Sequence, residues 1–362
     1  GAFYKNADIY NIDKTLIEGL DVIDKSIRVL DQSRIGSILT GDKHALKNGQ
    51  NIYGMIIQNT NPLIVSPEST LVRKGFSRDD LFVCVHEQFM TETAKYADII
   101  LPATTFVEHD DLYIAGGHQH ITFGPKLISP VGESRSNHFV LVELAKRLGA
   151  NHRGFKMTER EIIDFTLKSS KHGSLLDLEQ NGWKDVQPDF NSSHFINGFG
   201  HDDKKFHFKP DWKKIGPYYS QMPKYPDYQN TTESVSKKCP FRLVTAPAHN
   251  YLNSSFTETA SSKEKEAKPR AKIHPSDLKK LNLLDNMEVI LGNDRGKVIL
   301  HTESFEGLQQ GVIVVEGIWP SEAFIGNQGI NTLVGSDPVP PNGGAAFHDT
   351  SVWIKAYSKN MN

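Results

Sequence analysis

Apolar positions fall into two regimes along this chain. Up to about residue 150 they form near-continuous runs: Ile52 to Ile57, Leu81 to Val85 and Asp98 to Leu101. Such runs are the habit of strands covered on both faces, as in a parallel sheet. The first run ends in Gln58-Asn59-Thr60-Asn61-Pro62, where Asn and Pro favour a tight reversal. Between the second and third runs Thr91 is placed to cap a short helix, its hydroxyl accepting a first-turn amide. After Ser136 and Asn137, Leu141, Leu144, Ala145 and Leu148 recur at helical spacing, and Gly149 marks the stop.

From 151 to 238 the period fades. Thr158 with Glu161 predicts a capping box opening a helix through Ile162, Ile163 and Phe165. The stretch 216–240, rich in Pro, Tyr, Ser and Lys, reads as a connection. Beyond it short strands take over. Arg242 to Val244 is one, and Met287 to Leu291 with Lys297 to His301, joined by Gly292-Asn293-Asp294-Arg295-Gly296, predicts a hairpin. Gly311 to Val315 and Val352 to Ile354 follow. Short strands with Gly-rich turns suggest a closed barrel. The charged run 261–270 reads as a solvated loop. The expected architecture is therefore α/β followed by β: an open, Rossmann-like sheet domain over 1–238 and a β-barrel domain over 239–362.

Composition narrows the function. A formal net charge of -2 offers no general attraction to nucleic acid or an anionic membrane. No run approaches the roughly 18 apolar residues that span a bilayer. Gly1-Ala2-Phe3-Tyr4-Lys5 lacks the basic-then-apolar opening of a signal peptide; the compartment stays open, with the cytoplasm the simpler expectation. The two cysteines, Cys84 and Cys239, cannot by themselves build a four-thiolate iron–sulfur or zinc site. Cys84 alternates within an apolar strand and is expected to be buried.

The polar groups concentrate at strand ends. A guanine base presents two adjacent N–H donors, and Glu87, closing the Leu81 to Val85 strand, could accept both. Thr91 and the amides of its helix suit hydroxyl or phosphate oxygens, and Asn59 and Asn61 bring amides from the neighbouring strand end. Read singly, these residues fit better as a solvated carboxylate, a cap and a turn. Thr245 to Asn250 with Asn253-Ser254-Ser255 could cradle a diphosphate or the polar edge of a pterin, or form an ordinary surface loop. Gly329 to Leu333 and Gly343 to His348 have the same character. His118 and His120 project together from a strand, but no third or fourth metal ligand accompanies them. His109-Asp110-Asp111 reads as hydrogen-bonded structure. No Walker loop, Gly-x-Ser-x-Gly or His-Glu-x-x-His motif is present.

Taken in order, these segments resemble the molybdopterin oxidoreductases of the dimethyl-sulfoxide-reductase family. Glu87 to Pro102 is similar to that family's Asp-x-Phe-x-Thr-Glu-Thr-Ala-x-x-Ala-Asp-Val-Val-Leu-Pro stretch, and Asn59-Thr60-Asn61-Pro62 to its Gly-Ser-Asn-Pro loop. Glu108 to Asp111, Gly132 to Asn137, Ala271 to Asp277, Asn293 to Gly296 and Gly329 to Leu333 follow in the family's order. The resemblance implies a double-psi barrel and a molybdenum or tungsten ion held by two molybdopterin guanine dinucleotides. By that resemblance Glu87 and Thr91 hold a guanine-nucleotide end, and Asn59, Asn61 and Asp98 shape its pocket. Thr245, His249, Asn253, Asn331, Phe347 and His348 line the barrel's share. Glu87 departs from the family's Asp by one methylene.

Neither the family's metal ligand nor its iron–sulfur cysteines occur here, and a full catalytic subunit is about twice as long by resemblance. The expectation is the C-terminal half of such an enzyme, inactive alone, with any iron–sulfur cluster in the missing N-terminal part. Its partners would be that missing half, electron-transfer subunits and a small-molecule substrate, with no nucleic acid and no membrane insertion. A stand-alone cofactor-binding or subunit-docking protein is the alternative. An apolar face left bare where a second half would pack distinguishes the first from the second.

Overall fold

The computed structural model describes residues 10–229 and 233–358. The described residues divide into two compact units: 10–28, 86–89 and 101–207 form the first, and 29–85, 90–100, 208–229 and 233–358 the second.

A three-stranded parallel sheet has the order β1 (Gly54–Gln58), β2 (Phe82–Glu87), β3 (Ile99–Pro102). The second unit carries β1, the first four residues of β2 and the first two of β3. Asn61 precedes a one-turn helix, Pro62–Val65, whose proline occupies the first turn, where its missing N–H costs nothing. The Ser69–Phe76 helix follows and packs on Ile35–Leu39. Leu39, Leu63, Val72 and Phe76 close over Ile57, Val83 and Val85, so the sheet's apolar alternation finds one buried face.

The first unit holds a small antiparallel sheet, β4 (Asp111–Tyr113), β5 (His120–Gly124) and β6 (Trp183–Asp185). Ile121 is fully buried against Ile163, Leu167, Leu175 and Leu178 of two helices, Glu159–Ser169 and Leu175–Asn181. The capping box expected at Thr158 and Glu161 opens the first of these. A second box, Ser174 with Asp177, opens the other. The Asn137–Leu148 helix starts on the Ser136 hydroxyl and stops at Gly149, whose φ of 71° terminates it.

In the second unit, β7 (Phe241–Val244), β8 (Arg270–Ile273), β9 (Glu288–Gly292), β10 (Lys297–Ser304), β11 (Val312–Val315) and β12 (Thr350–Ala356) close a barrel in the order β10-β8-β11-β7-β12-β9. The β10–β8 and β11–β7 pairs are parallel; the rest are antiparallel. The predicted hairpin is the β9–β10 pair, with Lys297 opposite Gly292. Inward residues Leu243, Ile273, Leu291, Leu300, Ile313 and Val352 form the barrel core. One expectation is corrected: the charged run 261–270 is not a loop throughout. Ala260–Glu266 is helical and Arg270 begins β8. Ala, Lys and Glu are strong helix formers, and their solvated charges need no apolar stripe to form one turn or two.

Candidate functional site

In the second unit, β1 ends at Asn59, which is exposed and adopts a φ of 54°. An amide side chain tolerates that left-handed conformation better than most. Two residues on, Asn61 is buried. Its Oδ1 accepts the Thr93 backbone N–H at 3.2 Å and the Thr93 hydroxyl at 2.8 Å, while Thr93 Oγ1 accepts the Leu63 N–H. Asn61 thus joins the two loops at the sheet's end. Thr91 performs the expected capping: its hydroxyl accepts from Ala94 N–H at 3.1 Å, at the entry to a 3-10 turn over Ala94–Tyr96. Asp98 turns to β2, accepting the Val83 N–H at 2.7 Å.

On the barrel, Thr245 follows β7 and donates its hydroxyl to the Phe347 carbonyl at 2.9 Å. His249, Asn253 and His348 are exposed, Asn253 with a φ of 51°. Asn331 is different. It is 1% exposed, and its Nδ2 donates to the Ile64 and Val65 carbonyls at 2.8 and 3.1 Å. Those carbonyls end the helix that Asn61 begins. The two asparagines therefore hold opposite ends of one turn. Asn331 Oδ1 is buried without a protein partner.

Sheet and barrel loops of this unit are joined by more than Asn331. Glu92 Oε1 accepts the Ser321 N–H at 2.5 Å, and Glu92 Oε2 pairs with Arg73 at 3.1 Å. Arg73 also reaches Ser321 Oγ and the Tyr96 hydroxyl. Glu68 accepts the Ser336 hydroxyl at 2.5 Å and donates its N–H to the Val334 carbonyl. Ser69 and Thr332 hydroxyls meet at 2.9 Å. From the hairpin turn, Asn293 and Arg295 both donate to the Leu333 carbonyl at 2.8 Å. The loop around Asn331 is consequently pinned from both sides. The sequence reading named neither Glu92 nor Arg73; Glu92 lies inside the quoted Thr-Glu-Thr segment, but nothing local marks Arg73.

Glu87 belongs to the first unit. Its Oε1 accepts the Gln88 N–H at 2.7 Å, and its carbonyl accepts from Ala103. Nearby, Glu108 gathers two of the quoted motifs. Its carboxylate accepts the Thr105 N–H and hydroxyl, the Val131 N–H at 2.6 Å and, at 3.5 Å, the Ser134 hydroxyl. The Thr105 amide and hydroxyl, joined by the Val131 amide, hold its pKa down from the usual 4.5 to about 2. His109 Nδ1 lies 2.8 Å from Thr104 Oγ1, the hydrogen-bonded role expected of it.

Clefts of about 360 and 290 Å³ lie on the second unit, and none of the sequence-derived site residues lines either. The larger is walled by internally paired charges. Arg295 meets Glu233 at 2.6 Å, and Glu233 accepts the Ser351 N–H and hydroxyl, each at 2.7 Å. Cys84 and Cys239 are both buried, and burial pushes both thiols upward in pKa. Neither suits nucleophilic chemistry.

Residues 35–147 match the family model of molybdopterin oxidoreductases, and residues 241–351 that of the molybdopterin dinucleotide-binding domain. The chain belongs to the molybdopterin oxidoreductases. Among its relatives, a probable oxidoreductase of Bacillus subtilis, YoaE, is 29% identical over 98% of this chain and 51% of its own length. The assimilatory nitrate reductase catalytic subunit of the same organism is 25% identical over 80% of this chain and 40% of its own. Acetylene hydratase from Pelobacter acetylenicus shares the fold, with a TM-score of 0.74 at 16% identity over 98% of this chain and 51% of that one. This oxidoreductase-family chain spans about half the length of the relatives it matches. Among the described residues, no helix is long and apolar enough to cross a membrane.

Proposed function

We propose that this chain is the cofactor-cradling C-terminal portion of a molybdenum- or tungsten-dependent oxidoreductase that uses molybdopterin guanine dinucleotide. The observation that carries this reading is the ordered pair of family domains on a chain spanning half of its relatives' length. The donor set fits such a ligand. On the second unit, exposed amide and imidazole groups at Asn59, Asn253, His249 and His348 suit phosphate and pterin oxygens; on the first, the Glu87 carboxylate, which also accepts the Gln88 N–H, suits the paired N–H donors of guanine. Asn61, Asp98 and Asn331 already spend side-chain atoms on backbone or hydroxyl groups. On this reading they shape the loops, and Asn331 keeps its Oδ1 without a partner among the described residues.

When bound, the cofactor supplies the two-electron chemistry at its metal, and the protein supplies binding and orientation. The metal's protein ligand and any iron–sulfur cluster belong, on this reading, to the remaining polypeptide. The test is production of the chain together with that polypeptide, followed by elemental analysis and measurement of released pterin. Molybdenum or tungsten with pterin in the complex is the expected result, with no dye-linked turnover by the chain alone. A complex holding neither metal nor pterin overturns the reading, as does metal-dependent turnover by the chain alone.

A further inference from the structure

A parallel sheet is ordinarily covered on both faces. In the second unit one face of β1 and β2 is covered throughout, where Ile57, Val83 and Val85 meet Leu39, Val72 and Phe76, and the other is covered only in part. Strand alternation sends Ile56 and Phe82 to the opposite face, and they are 62% and 49% exposed. In β3, Ile99 and Ile100 are 46% and 40% exposed, and by the same alternation one of the two shares this face. Cys84, on the same side of β2 as Phe82, is buried, so the bare area lies toward the start of β2.

Gly54 provides an independent observation. It shares the face of Ile56, its φ lies outside the left-handed region, and a Cβ added there would meet nothing within 4 Å. Neither its conformation nor any neighbour in this chain calls for glycine. A glycine inside a strand weakens it, and one common reason is the close approach of another backbone. Ile56, one isoleucine of β3, the Phe82 ring and a glycine with open space above it describe a docking surface.

We infer that this face of β1 and β2 receives a backbone segment, with aliphatic side chains, from the polypeptide that makes up the rest of the relatives' length. The inference rests on the half-enzyme reading above. The occupant's existence is argued from length: two Bacillus subtilis relatives are matched over only 51% and 48% of their own chains. A polypeptide of about this chain's size is available to cover the face.

The test introduces Gly54→Val and, separately, Ile56→Asp into the chain produced with a tagged polypeptide that corresponds to the rest of the relatives' length. The wild-type pair should purify together. Gly54→Val should leave the chain's own melting temperature unchanged or higher, because valine suits a strand with room for it. It should nevertheless cut co-purification about tenfold, the ratio expected when a close contact worth roughly 1.4 kcal/mol is lost. Ile56→Asp should do the same, whereas Leu284→Asp, at a 72% exposed barrel position, should change nothing. Undiminished complex in both variants overturns the inference, as does the lack of any such polypeptide. So does self-association of the wild-type chain that both variants abolish, which would make a second copy the occupant. A loaded complex indifferent to both variants sinks the docking surface alone. A variant-sensitive complex without pterin sinks the functional reading alone.

Discussion

Asn331 Nδ2 lies 2.8 Å from the carbonyl oxygen of Ile64, a residue 267 positions earlier in the chain. The contact is nearly solvent-free, and with the Val65 carbonyl it satisfies two acceptors at the end of a helix too short to satisfy them itself.

Replacing Asn331 by Ala leaves both carbonyls buried without that donor. Unsatisfied buried acceptors cost about 1–3 kcal/mol, so a loss of about 2 kcal/mol is expected in urea unfolding. Asn331→Asp should cost more, because it points a carboxylate at two carbonyl oxygens. Unfolding midpoints within error of wild type for both variants would refute the pinning role.

Glu108 makes stability depend on acid. Its folded pKa, about 2, lies below the ordinary 4.5, so the folded state favours the ionised form. That contribution is complete above about pH 4.5 and is lost as pH falls toward 2. Glu108→Gln should therefore be less stable than wild type at neutral pH, with the gap narrowing between pH 4.5 and 2. Denaturant unfolding at a series of pH values measures it, and a gap independent of pH contradicts the assignment.

Gly292 sits where β9 passes the Trp353 ring; a Cβ built there would come within 2.4 Å of Trp353 Cζ2. Gly292→Ala should destabilise the barrel by about 1–3 kcal/mol through overpacking. Adding Trp353→Leu should recover part of that loss, a non-additivity visible in the melting temperatures of the four proteins.

On the proposed function, Glu87 contacts the ligand and Asp98 is scaffold, and the two can be separated. In the cofactor-loaded assembly, Glu87→Gln turns an acceptor oxygen into an amide donor facing guanine donors, and retained nucleotide should fall about tenfold. Asp98→Ala removes the acceptor of the Val83 N–H and should cost about 1 kcal/mol of stability with retention unchanged. Quantified nucleotide released from each purified variant decides between the roles.

Features with local chemistry were legible in the sequence. The Thr158–Glu161 box, the Ser136 start and Gly149 stop, the turn at 292–296 and the Thr91 cap each depend on residues a few positions apart. The Ser174–Asp177 box carried the same signature and passed unread because no long apolar period followed it. Ala260–Glu266 was misread because the helix presents no apolar stripe at all. The links of Arg73 and Glu92 to Ser321 were out of reach for a different reason. They join segments more than 200 residues apart, and no local pattern encodes such a pairing. The ordered motifs named the family, yet nothing in them marks Asn61 and Asn331 as the residues that tie loops together.

Thr350–Ala356 is flanked in the barrel by Phe241–Val244 on one side and Glu288–Gly292 on the other. During synthesis, those two earlier strands leave the ribosome with their hydrogen-bonding edges unpaired and wait for the last one. Open edges of apolar strands invite pairing with other chains. The nascent protein therefore passes through an interval in which those two edges are open to pairing with other chains.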